Sequence, residues 1–187
     1  AALAKIGTDQ GVFSENENKI IQNILNLQKI RVTQIMTPRV VVTSIDENLS
    51  LKNFQNDKKY LNFSRIPTYS KQNEKITGYI FLQDILEKLS ENKNHNSLIK
   101  KYKRNVLTIP SSITLYNLWE KMLERKEHIS IVVDEYGGLA GIVTMEDIIE
   151  TLIGLEITDE NDTIIDMQKY AKNRWKNQQK VPSKFKK

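Results

Sequence analysis

Gly141-Ile142-Val143-Thr144-Met145-Glu146-Asp147-Ile148-Ile149 decides how this chain is read, because Gly78-Tyr79-Ile80-Phe81-Leu82-Gln83-Asp84-Ile85-Leu86 repeats its plan. In each stretch a Gly opens a short apolar, β-favouring run and an Asp stands six positions after that Gly. Gly78 to Gly141 and Asp84 to Asp147 are the same step, 63 residues. A strand that runs into a helix at a fixed corner, twice over, predicts two copies of one supersecondary unit. The two corners are where function is to be sought first.

Working outward from the second corner, residues 106–109 read as a strand and Thr114 as the cap of a helix carrying Leu118, Trp119, Met122 and Leu123. Residues 129–133 and 139–143 read as two strands of a hairpin turned by Asp134-Glu135-Tyr136-Gly137-Gly138, with a helix from Met145. The first copy gives the same order: a strand over Val40-Val41-Val42-Thr43, and Ser50 capping a helix with Leu51 and Phe54. Strands over 66–69 and 76–80 and a helix over 82–89 complete it. Leu51 to Leu115 is a step of 64, so one residue is lost after the first helix, and His128 is read as standing where Arg65 does. Each copy is thus strand, helix, hairpin, helix, an α+β unit.

Upstream, residues 14–30 predict a helix with a Ser14–Glu17 capping box and an apolar stripe of Ile20, Ile21, Ile24 and Leu25. Residues 90–97 form a polar linker containing His95. Downstream come an acidic stretch over 158–162, a helix with Ile164, Met167, Ala171 and Trp175 on one side, and a basic tail. The expected division is a linking helix over 1–34, the two copies at 35–97 and 98–157, and a C-terminal helix and tail over 158–187.

Composition narrows the classes. The chain of 187 residues is 39% hydrophobic and 27% charged, enough for a packed core. Its net charge of +5 permits nucleic acid, anionic lipid or phosphate as partners and selects none. Part of the excess lies at Lys100, Lys101, Lys103 and Arg104, a run that reads first as a solvated face. A single aromatic, Tyr102, stands in that run, which is no stacking series for nucleic acid. With no cysteine there is no disulfide framework and no thiolate metal site. No stretch approaches the ~20 apolar residues of a membrane span. The chain does not open with Met, and a piece of a longer protein is expected.

Nothing argues for an enzyme. His95 and His128 join no nucleophile–base arrangement, and Gly137-Gly138-Leu139-Ala140-Gly141 runs into a strand without the Lys-Ser/Thr of a phosphate loop. Asp159, Asp162 and Asp166 lack the Gly and Glu of a calcium loop, and no metal site is expected. At the second corner Thr144 is a good N-cap and Asp147 suits the helix dipole, so structure alone would justify both. In the first copy Phe81 holds the capping position and cannot accept a hydrogen bond, yet Asp84 is kept. A helix N-terminus attracts phosphate and an Asp one turn in can accept from paired ribose hydroxyls, which together suit a nucleoside phosphate.

Two such copies ending in G-h-h-x-x-x-D, the second with Thr at the fourth position, resemble a CBS domain pair, or Bateman module. Ile35-Met36-Thr37-Pro38-Arg39, Ser64-Arg65-Ile66-Pro67, Val132-Val133-Asp134-Glu135-Tyr136-Gly137-Gly138 and Gly141-Ile142-Val143-Thr144-Met145-Glu146-Asp147 together resemble the CorC/HlyC/cyclin M family. These are hemolysin-like membrane proteins linked to magnesium and cobalt transport, and the resemblance spans residues 10–165. It implies an adenine nucleotide, ATP or AMP, with or without Mg2+, in a cleft between the copies. Thr144 would bond the nucleotide and Asp147 its ribose, with Glu146 beside them, Arg65 facing the phosphates and Thr37 lining the adenosine end. The alternative for Arg65 is an exposed ion pair, and Thr37 before Pro38 reads equally as a turn residue. A second site around Asp84 is expected to be weaker or empty. The resemblance further implies a regulatory module on the cytoplasmic side of the cell membrane, attached to a transport domain of the same chain. It also implies a homodimer through the helices, including Trp119 or Ile148 and Ile149. A ligand-free dimerisation module is the alternative.

Overall fold

The computed structural model describes residues 14–71, 75–91, 95–155 and 171. In chain order they form α1 (Glu15–Asn26), β1 (Thr37–Pro38), β2 (Ile45–Asp46), α2 (Leu51–Gln55), β3 (Arg65–Ser70), β4 (Lys75–Phe81) and α3 (Leu82–Ser90). The second half continues with β5 (Leu107–Pro110), α4 (Leu115–Arg125), β6 (Ile129–Val133), β7 (Leu139–Thr144) and α5 (Met145–Ile153). The strands make two sheets, β2-β3-β4 and β1-β7-β6-β5. In each, a parallel pair joined through a helix (β2 with β3, β5 with β6) is followed by an antiparallel hairpin. The mixed α+β architecture expected from the repeat is the one observed.

The short strand β1 precedes the first copy's sheet yet pairs with β7 of the second, Thr37 opposite Ile142 and Pro38 opposite Gly141. The reciprocal contact is a bridge between Tyr79 of β4 and Arg104, from the segment that precedes β5. Each sheet is therefore edged by the chain leading into the other copy. This arrangement explains the repeated Gly: a Cβ on Gly141 would stand 2.5 Å from the Thr37 carbonyl oxygen, and one on Gly78 would strike that of Arg104.

Each copy has its own core. In the first, Ile45, Leu51, Ile66, Ile80 and Ile85 are fully buried beside stacked Phe54 and Tyr60 rings 5.2 Å apart. In the second, Leu115, Leu118, Met122, Val132, Val143 and Ile148 are fully buried. Leu27 and Val32, from the segment before the first copy, complete that second core.

Caps fall where the side chains dictate. Ser14, Ser50 and Thr114 each accept from the backbone N–H three residues on, and Glu17 closes the box at Ser14. Helix α1 ends at Asn26 rather than at residue 30, because the chain turns Leu27 into the second core. The freed carbonyls of Leu27 and Ile30 receive the Tyr116 and Leu115 N–H groups at the start of α4. Val40-Val41-Val42-Thr43 forms no strand. Turn bonds from Val41 N–H to Pro38 and from Val42 N–H to Arg39 bend it, and pairing resumes only at Ile45. Chain reversal between sheets overrides β-propensity there.

Register relocates the lost residue. Arg65 pairs with Phe81 and Ile129 with Thr144, so the step of 64 persists through β3 and β6 and becomes 63 only in the hairpin. Both hairpins skip one residue, Thr77 and Ala140, at the same bulge. His128 thus corresponds to Ser64, whose carbonyls receive the Met145 and Leu82 N–H groups, and not to Arg65. The acidic stretch over 158–162, Ile164, Met167, Trp175 and the basic tail lie outside the described residues; Ala171 is helical and buried.

Candidate functional site

The corner between β7 and α5 carries most of the expected site residues. Thr144 is extended (φ −106°, ψ 168°), which turns its hydroxyl back over the first turn of α5. Its Oγ1 receives the Asp147 N–H at 3.4 Å, while Asp147 Oδ2 accepts from the Thr144 N–H at 2.6 Å and from Thr144 Oγ1 at 2.9 Å. The result is a closed capping box. Glu146 points outward and is exposed, and Thr37 flanks the corner through its pairing with Ile142. Thr37, Thr144, Glu146 and Asp147 therefore share one place in the fold. Thr144 and Asp147 satisfy each other there.

The pseudo-symmetric corner between β4 and α3 is built differently. Phe81 makes no side-chain cap to α3. Asp84 Oδ2 instead accepts from Arg104, from Nε at 3.1 Å and from Nη2 at 2.5 Å. Asp84 in turn holds the Arg104 guanidinium further above its ordinary range. The Arg104 and Arg65 guanidinium carbons each lie 5.4 Å from the Phe81 ring centroid. Arg65, first residue of β3 and opposite Phe81, thus belongs to this corner.

Arg104 was not legible as a corner residue. Tyr79 corresponds to Ile142 across the repeat, so Arg104, which bridges Tyr79, takes the place that Thr37 takes beside Ile142. The connecting segments differ in length, so the repeat step of 64 projects Thr37 onto Lys101 instead. The basic run is only in part a solvated face. Lys103 Nζ lies 2.6 Å from Glu47 Oε2 and Lys100 Nζ lies 3.4 Å from Asn48 Oδ1, so the run folds back on the first copy. The Lys103 ammonium and the Thr77 hydroxyl both donate to Glu47 and lower its carboxyl from the ordinary range.

A cavity of about 530 Å³ lies at the far end of β7 from Thr144, lined by Val42, Thr43, Ser44, Tyr69, Ile76 and Leu139 among others. Among the described residues no cluster of His, Asp and Glu could hold a metal ion. On the helical faces, Leu86 (43% exposed), Leu123 (55%) and Ile149 (38%) stand in solvent. Ile148 does not: it is fully buried in the second core, because α5 turns that side onto the sheet. Trp119 is half-buried, edge-on to Tyr116.

Residues 99–154 match the family model for the CBS domain. Among solved structures, the CBS domain of the bacterial CNNM/CorC family Mg2+ transporter is similar with a TM-score of 0.78 and 30% identity, covering 84% of this chain and 95% of that one. The chain belongs to the CNNM/CorC family. A structure of such a CBS domain in complex with ATP has a TM-score of 0.69 and 32% identity, covering 74% of this chain and 98% of that one. Hemolysin C of Brachyspira hyodysenteriae is 39% identical over 80% of this chain and 54% of its own length. A polyamine export protein of Haemophilus influenzae is 28% identical over 88% of this chain and 38% of its own. The chain thus spans about half the length, or less, of these curated relatives. No helix among the described residues is long and apolar enough to cross a membrane.

Proposed function

We propose that this chain is the cytosolic regulatory CBS pair, with copies at 35–97 and 98–157, of a membrane exporter of magnesium, cobalt or a related cation. It binds an adenine nucleotide, ATP or AMP, at the β7–α5 corner and so biases the attached transport domain. The observation that carries this reading is the corner itself: a helix N-terminus, a Thr hydroxyl and a half-buried Asp, with Thr37 supplied from the other copy's lead-in. Positive potential at the helix start suits phosphate, and the Asp147 carboxylate suits paired ribose hydroxyls. Thr144, Glu146 and Asp147 make the nucleotide contacts, and Thr37 lines the adenosine end. Arg65 sits over Phe81 at the β4–α3 corner and has no carboxylate partner among the described ion pairs; it is the planar cation for phosphates that extend from the β7–α5 corner toward the first copy, with or without Mg2+. The ATP complex of a CNNM/CorC CBS domain supports this ligand class.

Two copies of the chain associate through the helical faces that expose Leu86, Leu123 and Ile149. Nucleotide shifts the dimer only by its differential affinity for the two arrangements. One observation favours a ligand-free dimerisation module instead: Asp147 is already engaged by Thr144. Titration calorimetry with ATP and AMP, with and without Mg2+, on wild type and Asp147→Ala separates the readings. Saturable heat that the substitution removes supports the regulatory reading. Neither heat nor a thermal shift at millimolar nucleotide in wild type sinks it.

A further inference from the structure

Two straps cross between the copies, residues 32–39 onto the second sheet and residues 99–104 onto the first. They start alike. The Val32 and Ile99 N–H groups donate to the Ile113 and Leu49 carbonyls, and both side chains are fully buried in the copy they reach. Thr37 beside Ile142 and Arg104 beside Tyr79 then hold matching places, so Lys103 stands where Met36 does. The corner glycines show the same match: a Cβ on Gly78 would meet Lys103 Cγ at 2.7 Å, and one on Gly141 would meet Met36 Cγ at 3.2 Å. Beyond that shared start the straps are held by different forces. Ile35 and Met36 pack half-buried against the second core, Thr37 and Pro38 pair as a strand with β7, and the Arg39 N–H donates to the Ala140 carbonyl at 2.9 Å. Residues 100–104 make a single bridge, at Tyr79, and pack only Tyr102 against the first core. Their remaining side-chain attachments are polar: Lys100 on Asn48, Lys103 on the Glu47 carboxylate that Thr77 also donates to, and Arg104 on Asp84.

We propose that residues 100–104 are a latch that opens before the rest of the fold, with residues 34–39 as the hinge on which the first copy then swings. Opening the latch returns charges to water. The Lys103 and Glu47 side chains are 26% and 16% exposed, so lost hydration offsets much of their attraction in the closed state. The Arg104–Asp84 pair, 51% and 33% exposed, contributes little. Opening the hinge would instead bring Ile35 and Met36 into water and break a paired strand. Ile99, fully buried in the first core, stops the release at the base of the latch. The opened latch uncovers the outer edge of β4 at Tyr79 and the Glu47 carboxylate. It is independent of the proposed nucleotide binding. Where nucleotide is bound, the swing moves Arg65 relative to Thr144 and Asp147 while Thr37 keeps its place on β7.

The test is amide hydrogen exchange of the 187-residue chain without nucleotide, read residue by residue by NMR. It is run in about 0.1 M and about 1 M sodium chloride, between which the screening length falls from about 10 Å to about 3 Å. The Arg104 and Tyr79 amides, which bond each other's carbonyls across the latch, are expected to exchange about tenfold or more faster than the Arg39 amide of the hinge. High salt speeds them further and leaves Arg39 and the central strand β6 unchanged. Lys103→Met combined with Glu47→Ser gives the latch the residue types of Met36 and Ser111, their counterparts at the hinge, and is expected to slow Arg104 and Tyr79 and remove the salt response. Glu47→Gln, which keeps the side chain's size, serves where the double variant does not fold: it is expected to speed both amides at low salt and shrink the salt response. Arg39 exchanging as fast as Arg104 in wild type overturns the latch, as does an equal salt response at the two straps. So does a folded variant of either kind whose Arg104 exchange and salt response match those of wild type.

Discussion

At the residue scale, the two corner glycines have a steric task, and their substitution separates that task from backbone freedom. A Cβ at Gly141 meets the Thr37 carbonyl at 2.5 Å and the Met36 sulfur at 3.0 Å, and the carbonyl belongs to a paired strand that cannot swing aside. Gly141→Ala is therefore expected to cost about 1–3 kcal/mol, as overpacking does. Gly137→Ala meets nothing within 4 Å and strains only a left-handed backbone (φ 78°), for about 1 kcal/mol. Urea midpoints of the two variants test that order; equal losses would show that β1 yields freely. Glu47 gives a second prediction at this scale. Lys103 and Thr77 donate to its carboxylate and hold its pKa below the ordinary carboxylate value in the folded chain. A group so depressed stabilises the fold above its unfolded value and loses that contribution as the pH falls through the folded one. Melting temperatures of wild type and Glu47→Gln should differ at pH 7, and the gap should begin to close as the pH falls below the unfolded Glu value of about 4.3. A gap unchanged down to pH 3 would remove the ion pair as its cause.

At the element scale, α1 and the turn after it belong to the second copy although they precede the first in sequence. Leu27 is fully buried against that core, so Leu27→Ala should cost about 2–5 kcal/mol. Its denaturant midpoint should fall as far as that of Ile148→Ala, a residue of α5 in the same core, and a loss under 1 kcal/mol would show that the turn is only draped over the surface. Ser14 with Glu17, Ser50, Thr114 and the hairpin at Asp134 were legible because their chemistry is local. The Thr144–Asp147 box was legible for the same reason, since a cap and its acid lie within one turn. What escaped depends on long-range pairing. The lost residue falls in the hairpin because both sheets keep a bulge at the same place, and no local signal marks it. The valine run at 40–42 has strand chemistry but spans the passage between two sheets. Ile148 and Ile149 are alike in sequence, and only the angle of α5 against its sheet buries one and exposes the other. Arg104 meets Asp84 through a bridge between distant segments, so neither residue announces the other.

At the scale of the whole molecule, α5 joins the candidate nucleotide corner to the N-terminal helix. Its first turn carries Thr144 and Asp147, and at its last turn the Asn23 side chain of α1 donates to the Leu152 carbonyl at 3.0 Å. A helix of nine residues spans about 13 Å, so any tilt that a ligand imposes at one end reaches α1 at the other. Linkage makes the effect reciprocal: if nucleotide favours one seating of α1, that seating favours nucleotide. Hydrogen exchange with and without ATP reads this directly. Saturating ATP is expected to slow exchange over residues 141–147 and also over 20–27, which lie outside the corner. Asn23→Ala should leave the first effect and reduce the second, because it cuts the bond between α1 and α5 without touching Thr37, Thr144 or Asp147. Protection confined to the corner in wild type would mean that α1 does not sense the ligand. The path from nucleotide to any attached transport domain would then have to run through the proposed dimer faces around Leu86 and Ile149.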